Sequence, residues 1–261
     1  MINKKILGLT GIATLGLAIV PLSVVNADDK GGALDSNAQV TFIADNDAKS
    51  PLDPTTPANP DGTQNPVSPI DTVTGLTPKP GTPGLLTVDF ASSFNFGSNI
   101  ISSVTKTYNA LPQVYAQKDE SKATDTTGPN FVQVTDVRPG SAKGWSLNVK
   151  QNDDFKAMAP AIPSTLVGAQ INITNGNVFN GNGGTDTINS GKNPTDIAVS
   201  TAASNVMGAK ADEGFGTWLY RMGTKDTAGS SVKLTVPGSS AKEVAAYRTT
   251  LTWTLTDSPA S

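Results

Sequence analysis

The chain of 261 residues contains no cysteine and no histidine, and only three of its side chains are tryptophan. Without cysteine no disulfide can hold the fold, so a hydrophobic core must do so alone. Without histidine or cysteine, general acid–base chemistry would fall to carboxylates. Two doublets, Asp153-Asp154 and Asp212-Glu213, are the candidates. A glycosidase needs two carboxyl groups facing each other across a bond at about 5 to 9.5 Å. Adjacent residues on a strand point to opposite faces, so neither doublet supplies that geometry by itself. Both read as solvated surface acids, no catalytic residue is assigned, and no cofactor is implied.

Excess positive charge is also missing. The sequence carries 19 basic and 22 acidic side chains, a balance that argues against nucleic acid as a partner. Acidity is concentrated in the first half: residues 28–130 hold 12 acidic and 6 basic side chains, whereas residues 131–261 hold 10 and 11.

Long apolar runs are limited to one, Ile6 to Leu22, which follows Lys4 and Lys5 and contains Gly8, Gly11, Gly16 and Pro21. A spanning helix needs about 20 predominantly apolar residues. The run is followed by Val25-Asn26-Ala27, a small-residue pattern of the kind signal peptidase reads. Residues 1–27 are therefore expected to be a secretory signal peptide, with the mature chain starting at Asp28 and carrying 17 basic against 22 acidic side chains. No membrane span is expected in the mature chain. The sequence stops just beyond Asp257-Ser258-Pro259 without a hydrophobic tail, so attachment to a surface is expected to be noncovalent.

Half of the 18 prolines fall between Pro51 and Pro83. Proline fixes φ and removes a backbone donor, so residues 50–84 are expected to form an extended, poorly hydrogen-bonded spacer. Upstream, within residues 28–49, the alternating NAQVTFIAD places Val40 and Phe42 on one face and reads as a strand belonging to the main domain.

Residues 85–261 show period-two alternation repeatedly. Leu86/Val88/Phe90, Val132/Val134, Trp145/Leu147/Val149, Ile171/Ile173, Val232/Leu234/Val236 and Leu251/Trp253/Leu255 each put apolar groups on one side. Between them lie turn-forming stretches such as VRPGSAKG and VPGSSAKE. The pattern predicts an all-β domain, an antiparallel β-sandwich with long loops. Residues Thr195 to Met207 leave room for a short helix or an irregular crossover. The loop NGNGGTDTI is faintly like a calcium-binding repeat, but such repeats bind by stacking several copies and only one is present, so no metal site is assigned.

A small pattern occurs twice: Trp145 precedes Leu147 in GWSLNVKQ, and Trp253 precedes Leu255 in YRTTLTWTLTDSP. Strand geometry puts each tryptophan on the face of its leucine, so burial of both rings is the first expectation. The alternative is a platform on which a sugar ring stacks.

On these residues the chain resembles the WxL-domain proteins, noncovalently attached surface proteins of low-GC Gram-positive bacteria. The first motif follows FVQVTDVRPGSAK, and GAQINITNG, GTWLYRMG and SVKLTVPGSSAKE stand before the second. ALDSNAQVTFIAD, the proline-rich stretch, LLTVDFASSFNFG and KTYNALPQ are similar to the family as well. The resemblance implies a secreted protein that binds peptidoglycan at the cell wall, with Trp145, Leu147, Trp253 and Leu255 implicated, and that acts alongside other cell-surface proteins. Met222 departs from the pattern, standing where many relatives carry an aromatic. The competing reading is an adhesin or scaffold subunit held mainly by a protein partner, for which a sheet edge would serve.

Overall fold

The computed structural model describes residues 32–116, 126–158, 164–189 and 193–261; residues 1–27, expected to be a signal peptide, lie outside the described residues. The chain divides into a small unit, Met1–Phe42, and a large one, Ile43–Ser261. The described part of the small unit, residues 32–42, forms no strand, and Leu34, Val40 and Phe42 are exposed. The strand expected in NAQVTFIAD is therefore absent. Alternation supplies an apolar face, but a strand also needs a neighbour to take its N–H and C=O groups.

In the large unit the described residues contain sixteen strands and no α-helix. They are β1 (Pro69–Ile70), β2 (Leu86–Ala91), β3 (Lys106–Asn109), β4 (Gln113–Tyr115), β5 (Thr126–Gly128), β6 (Asn130–Asp136), β7 (Trp145–Gln151) and β8 (Lys156–Ala157). The rest are β9 (Gln170–Ile173), β10 (Gly176–Asn180), β11 (Ile197–Val199), β12 (Ser204–Ala209), β13 (Gly216–Met222), β14 (Val232–Val236), β15 (Tyr247–Arg248) and β16 (Leu251–Thr256). Every pairing is antiparallel. The segment left open for a short helix forms β11 and β12 instead, because Ile197/Val199 and Val206 find partners on β9 and in the core.

One layer is the sheet β10-β13-β6-β2. The other combines β11-β9-β14-β3 with β12-β7-β16, which meet where β11 lies beside β12 and where Gln151 N–H donates to Ser200 O at 2.7 Å. Val132 and Val134 of β6, Trp218 and Tyr220 of β13, Leu147 of β7 and Ile171 of β9 belong to one buried cluster between the layers. This is the expected sandwich.

Two features differ from the alternation pattern, and both concern the outer face of the first layer. Residues 50–70 are not a free spacer. Asp53 N–H donates to Asn65 O, Asn65 N–H to Pro57 O and Val67 N–H to Pro51 O, at 2.8 to 2.9 Å. Proline lacks a donor but keeps its carbonyl, so the intervening residues complete the bonding. The segment then folds against the sheet: Leu52, 1% exposed, joins Phe90, Tyr115, Phe131 and Leu219 in a second buried cluster. Leu52 N–H donates to Gln133 Oε1, and Gln133 Nε2 donates to Ser50 O. As a result β6 is buried along its whole length rather than on one face.

The second feature is a bulge. The β2–β6 register shifts between Val88 and Phe90, leaving Asp89 as the extra residue. Val88 therefore packs on the central cluster while Phe90 turns to the outer one, against Phe131 with ring centroids 4.7 Å apart. The expected shared face of Leu86, Val88 and Phe90 is broken at this point.

Candidate functional site

The two Trp-x-Leu strands are neighbours. β16 pairs with β7 so that Leu255 faces Leu147, Trp253 faces Val149 and Leu251 faces Gln151. Directly opposed residues in an antiparallel pair project to the same side. All four motif residues thus share the core-facing side of one sheet, with the two tryptophans displaced from each other by about 13 Å along the strand direction.

Their burial differs because the strands have different numbers of neighbours. β7 is central: β12 lies on its other side, with Ala209 opposite Trp145 and Met207 opposite Leu147. Trp145 and Leu147 are completely buried. β16 is an edge strand of this sheet, so Leu251, Trp253 and Leu255 pack on the central cluster but stay half-exposed, alternating with exposed Thr252, Thr254 and Thr256. The expected burial therefore holds fully for the first tryptophan and in part for the second.

Trp145 is also fixed by polar contacts. Its indole Nε1 donates to Gly214 O at 3.0 Å. Gly214 sits at φ +87°, and a Cβ there would come within 2.6 Å of that nitrogen, so the position demands glycine twice over. Just before the strand, Arg138 grips Asp136 through Nε and Nη2 at 2.9 and 2.7 Å and donates to Gly144 O at 2.7 Å. This clamp closes the VRPGSAKG turn and delivers the chain to β7. Gly214, Asp136 and Arg138 had no place among the sequence candidates. The glycine-spaced GFG before Trp218 was the available signal for the first.

Trp218 is nearly buried in the opposite layer, its Nε1 donating to Phe215 O at 3.2 Å, and Met222 is fully buried on the same face. Met222 thus fills core space where an aromatic was anticipated.

The acidic doublets do not converge. Asp153 forms an ion pair with Lys156 at 3.2 Å, and Asp154 is exposed. Glu213 Oε2 accepts the backbone N–H groups of Asn189 and Lys210, at 2.7 and 3.2 Å, a role in shaping the loop.

One buried carboxylate lies beneath the proline-rich segment. Asp89, at the bulge, accepts hydrogen bonds from Thr87 Oγ1 and Thr135 Oγ1, both at 2.6 Å, and from Gln133 Nε2 at 2.9 Å. Burial raises its pKa above the ordinary carboxylate value, and these three donors oppose the rise. The carboxyl thereby ties the bulge to β6.

An open cleft of about 840 Å³ lies in the large unit near β3 and β15. Its floor includes buried Phe155 and Leu234, and half-buried Phe94, Phe96, Tyr108 and Tyr247 also line it. Phe96 meets Phe155 edge-on, with centroids 6.4 Å apart. The Tyr247 hydroxyl shares a hydrogen bond with Ser164 Oγ and accepts one from Glu243 N–H.

An antiparallel sandwich with paired Trp-x-Leu strands and an aromatic surface cleft has the build of an extracellular binding domain. Comparison with known families agrees: the family described as WxL domain surface cell wall-binding matches residues 29–259. The chain belongs to that family, and it is accordingly a cell-surface protein that binds the cell wall. No curated protein and no solved structure matches the chain.

Proposed function

We propose that the protein is exported by a signal peptide cleaved after Ala27 and then binds peptidoglycan noncovalently through the folded WxL domain. The observation that carries this reading is the family match, which spans both motif strands and the proline-rich segment together. Trp145 and Leu147, having no exposed surface, act by building the sandwich. Trp253 and Leu255 act mainly in the same way, from the edge. Contact with the wall then falls to the outer surface of the assembled domain. The test is retention of the purified protein on protein-free sacculi: binding supports the reading, and failure to bind removes peptidoglycan as the ligand.

A second reading, an adhesin or scaffold subunit held by a protein partner, has one observation in its favour. Leu34, Val40, Phe42 and Ile43 are all more than two-thirds exposed in a segment with no strand partner. Exposed apolar side chains close together in sequence can serve as a docking segment for a protein partner. Retention on intact cells but not on stripped sacculi would favour it.

A further inference from the structure

We propose that the aromatic cleft is the peptidoglycan-binding site and that Lys242 and Arg248 recognise a carboxylate of the stem peptide there. This inference rests on the peptidoglycan reading above and specifies where and how the polymer is held.

Charge is the first argument. The cleft is lined by two cations, Lys242 and Arg248, and by one carboxylate, Glu243, in a chain whose overall balance is negative. Among the described residues the ion pairs are Lys49–Asp45, Arg138–Asp136 and Lys156–Asp153, so neither cleft cation has a carboxylate partner. Lys242 is fixed nonetheless. Its ammonium donates to Pro237 O and Ser240 O, both at 2.9 Å, which spends two of its three donors and leaves the third open. Arg248 is exposed and stands directly opposite Lys156 in the β8–β15 pair. Lys156 is met by Asp153, so of this facing pair Arg248 is the cation left without a carboxylate.

The apolar surface narrows the occupant. The aromatic walls continue into exposed Ile100, Ile101 and Val244 at the rim. A ligand for this cleft must present small apolar groups together with negative charge. The muramyl glycopeptide does both: its acetyl, lactyl and alanine groups carry methyls, its sugar rings have apolar faces, and its stem carries free carboxylates. A polyol phosphate has the charge without the apolar faces, and a neutral N-acetylated glycan has the faces without the charge. The cleft volume lies within the range of about 300–1,000 Å³ typical of small-ligand sites.

The experiment measures retention on purified sacculi for wild type, for Lys242→Gln/Arg248→Gln, and for a control, Lys150→Gln/Lys225→Gln, that removes two exposed cations outside the cleft. Sacculi are used before and after removal of teichoic acid and after carboxyl amidation, with chitin as a neutral comparison. Circular dichroism confirms folding of each variant, and Arg248→Gln alone serves if the double variant is unstable. Expected are roughly tenfold weaker retention of the cleft variant, wild-type retention of the control, and loss of wild-type binding on amidated sacculi. Equal binding to chitin, equal weakening of the control, or an unaffected cleft variant overturns the cleft assignment while peptidoglycan binding can still stand, whereas wild-type binding that disappears when teichoic acid is removed overturns both readings. A wild-type protein that passes through every sacculus preparation overturns both.

Discussion

Leu147 and Leu255 face each other across the β7–β16 pair, each two residues beyond a tryptophan on its own strand. Since the strands run antiparallel, the two tryptophans fall on opposite sides of this leucine pair and extend the apolar face in both directions. The second motif is the last strand of the chain and docks on the first, so the repeat records a pairing between distant segments.

Trp145→Ala should destabilise the domain by about 3–5 kcal/mol, because it empties a fully enclosed ring site and orphans Gly214 O. Trp253→Ala should cost less, about 1–2 kcal/mol, since its ring at the edge strand is only partly buried. Urea denaturation of both variants checks the order, and equal losses would contradict the central-versus-edge distinction.

The alternation of β6, β7, β9, β14 and β16 was legible because each has one apolar side that meets the opposite layer. Trp145 and Leu147 were legible for the same reason. The difference between Trp145 and Trp253 was not, because burial at a given residue depends on how many strands flank its own, and strand order is a property of the whole topology. The shift of Phe90 to the outer face turns on one extra residue, Asp89, which a period-two reading passes over. Residues 50–70 were misread through composition: proline content reports the donors that are missing, whereas Leu52 and the carbonyls of Pro51 and Pro57 decide the packing. The cleft was out of reach because residues as distant as Phe94 and Tyr247 line it together.

Leu52→Ala should cost about 2–5 kcal/mol despite lying in the proline-rich stretch, for Leu52 is buried among Phe90, Tyr115, Phe131 and Leu219. A midpoint shift in thermal or urea unfolding measures it. A change within about 0.5 kcal/mol, the usual range of a surface substitution, would show that the stretch is not part of the core.

Limited proteolysis should cut residues 32–42, which have no ladder, before residues 50–70, which are hydrogen-bonded and packed. Mass spectrometry of the early fragments identifies the new N-terminus. A first stable fragment beginning near Leu85 would mean that the proline-rich stretch is a spacer after all.

Asp89 should make stability depend on pH in a definite direction. Burial raises its folded pKa above 3.8, the ordinary value, so the folded chain holds this proton more tightly than the unfolded one. Its contribution therefore falls as pH rises from about 3.8 through the raised value, and levels off above it. Asparagine cannot titrate, so Asp89→Asn should gain stability relative to wild type across that window. Urea midpoints of both proteins from about pH 3.5 to about pH 7 test this, and a difference moving the other way would contradict it.

Retention of purified wild type and of folded Trp253→Ala on protein-free sacculi tests the central claim most directly: an intact domain holds the wall while its Trp-x-Leu strands hold the domain. The account predicts that wild type is retained and that the variant is retained in proportion to its folded fraction. A wild type that washes through, or a fully folded Trp253→Ala protein that no longer binds, would contradict it.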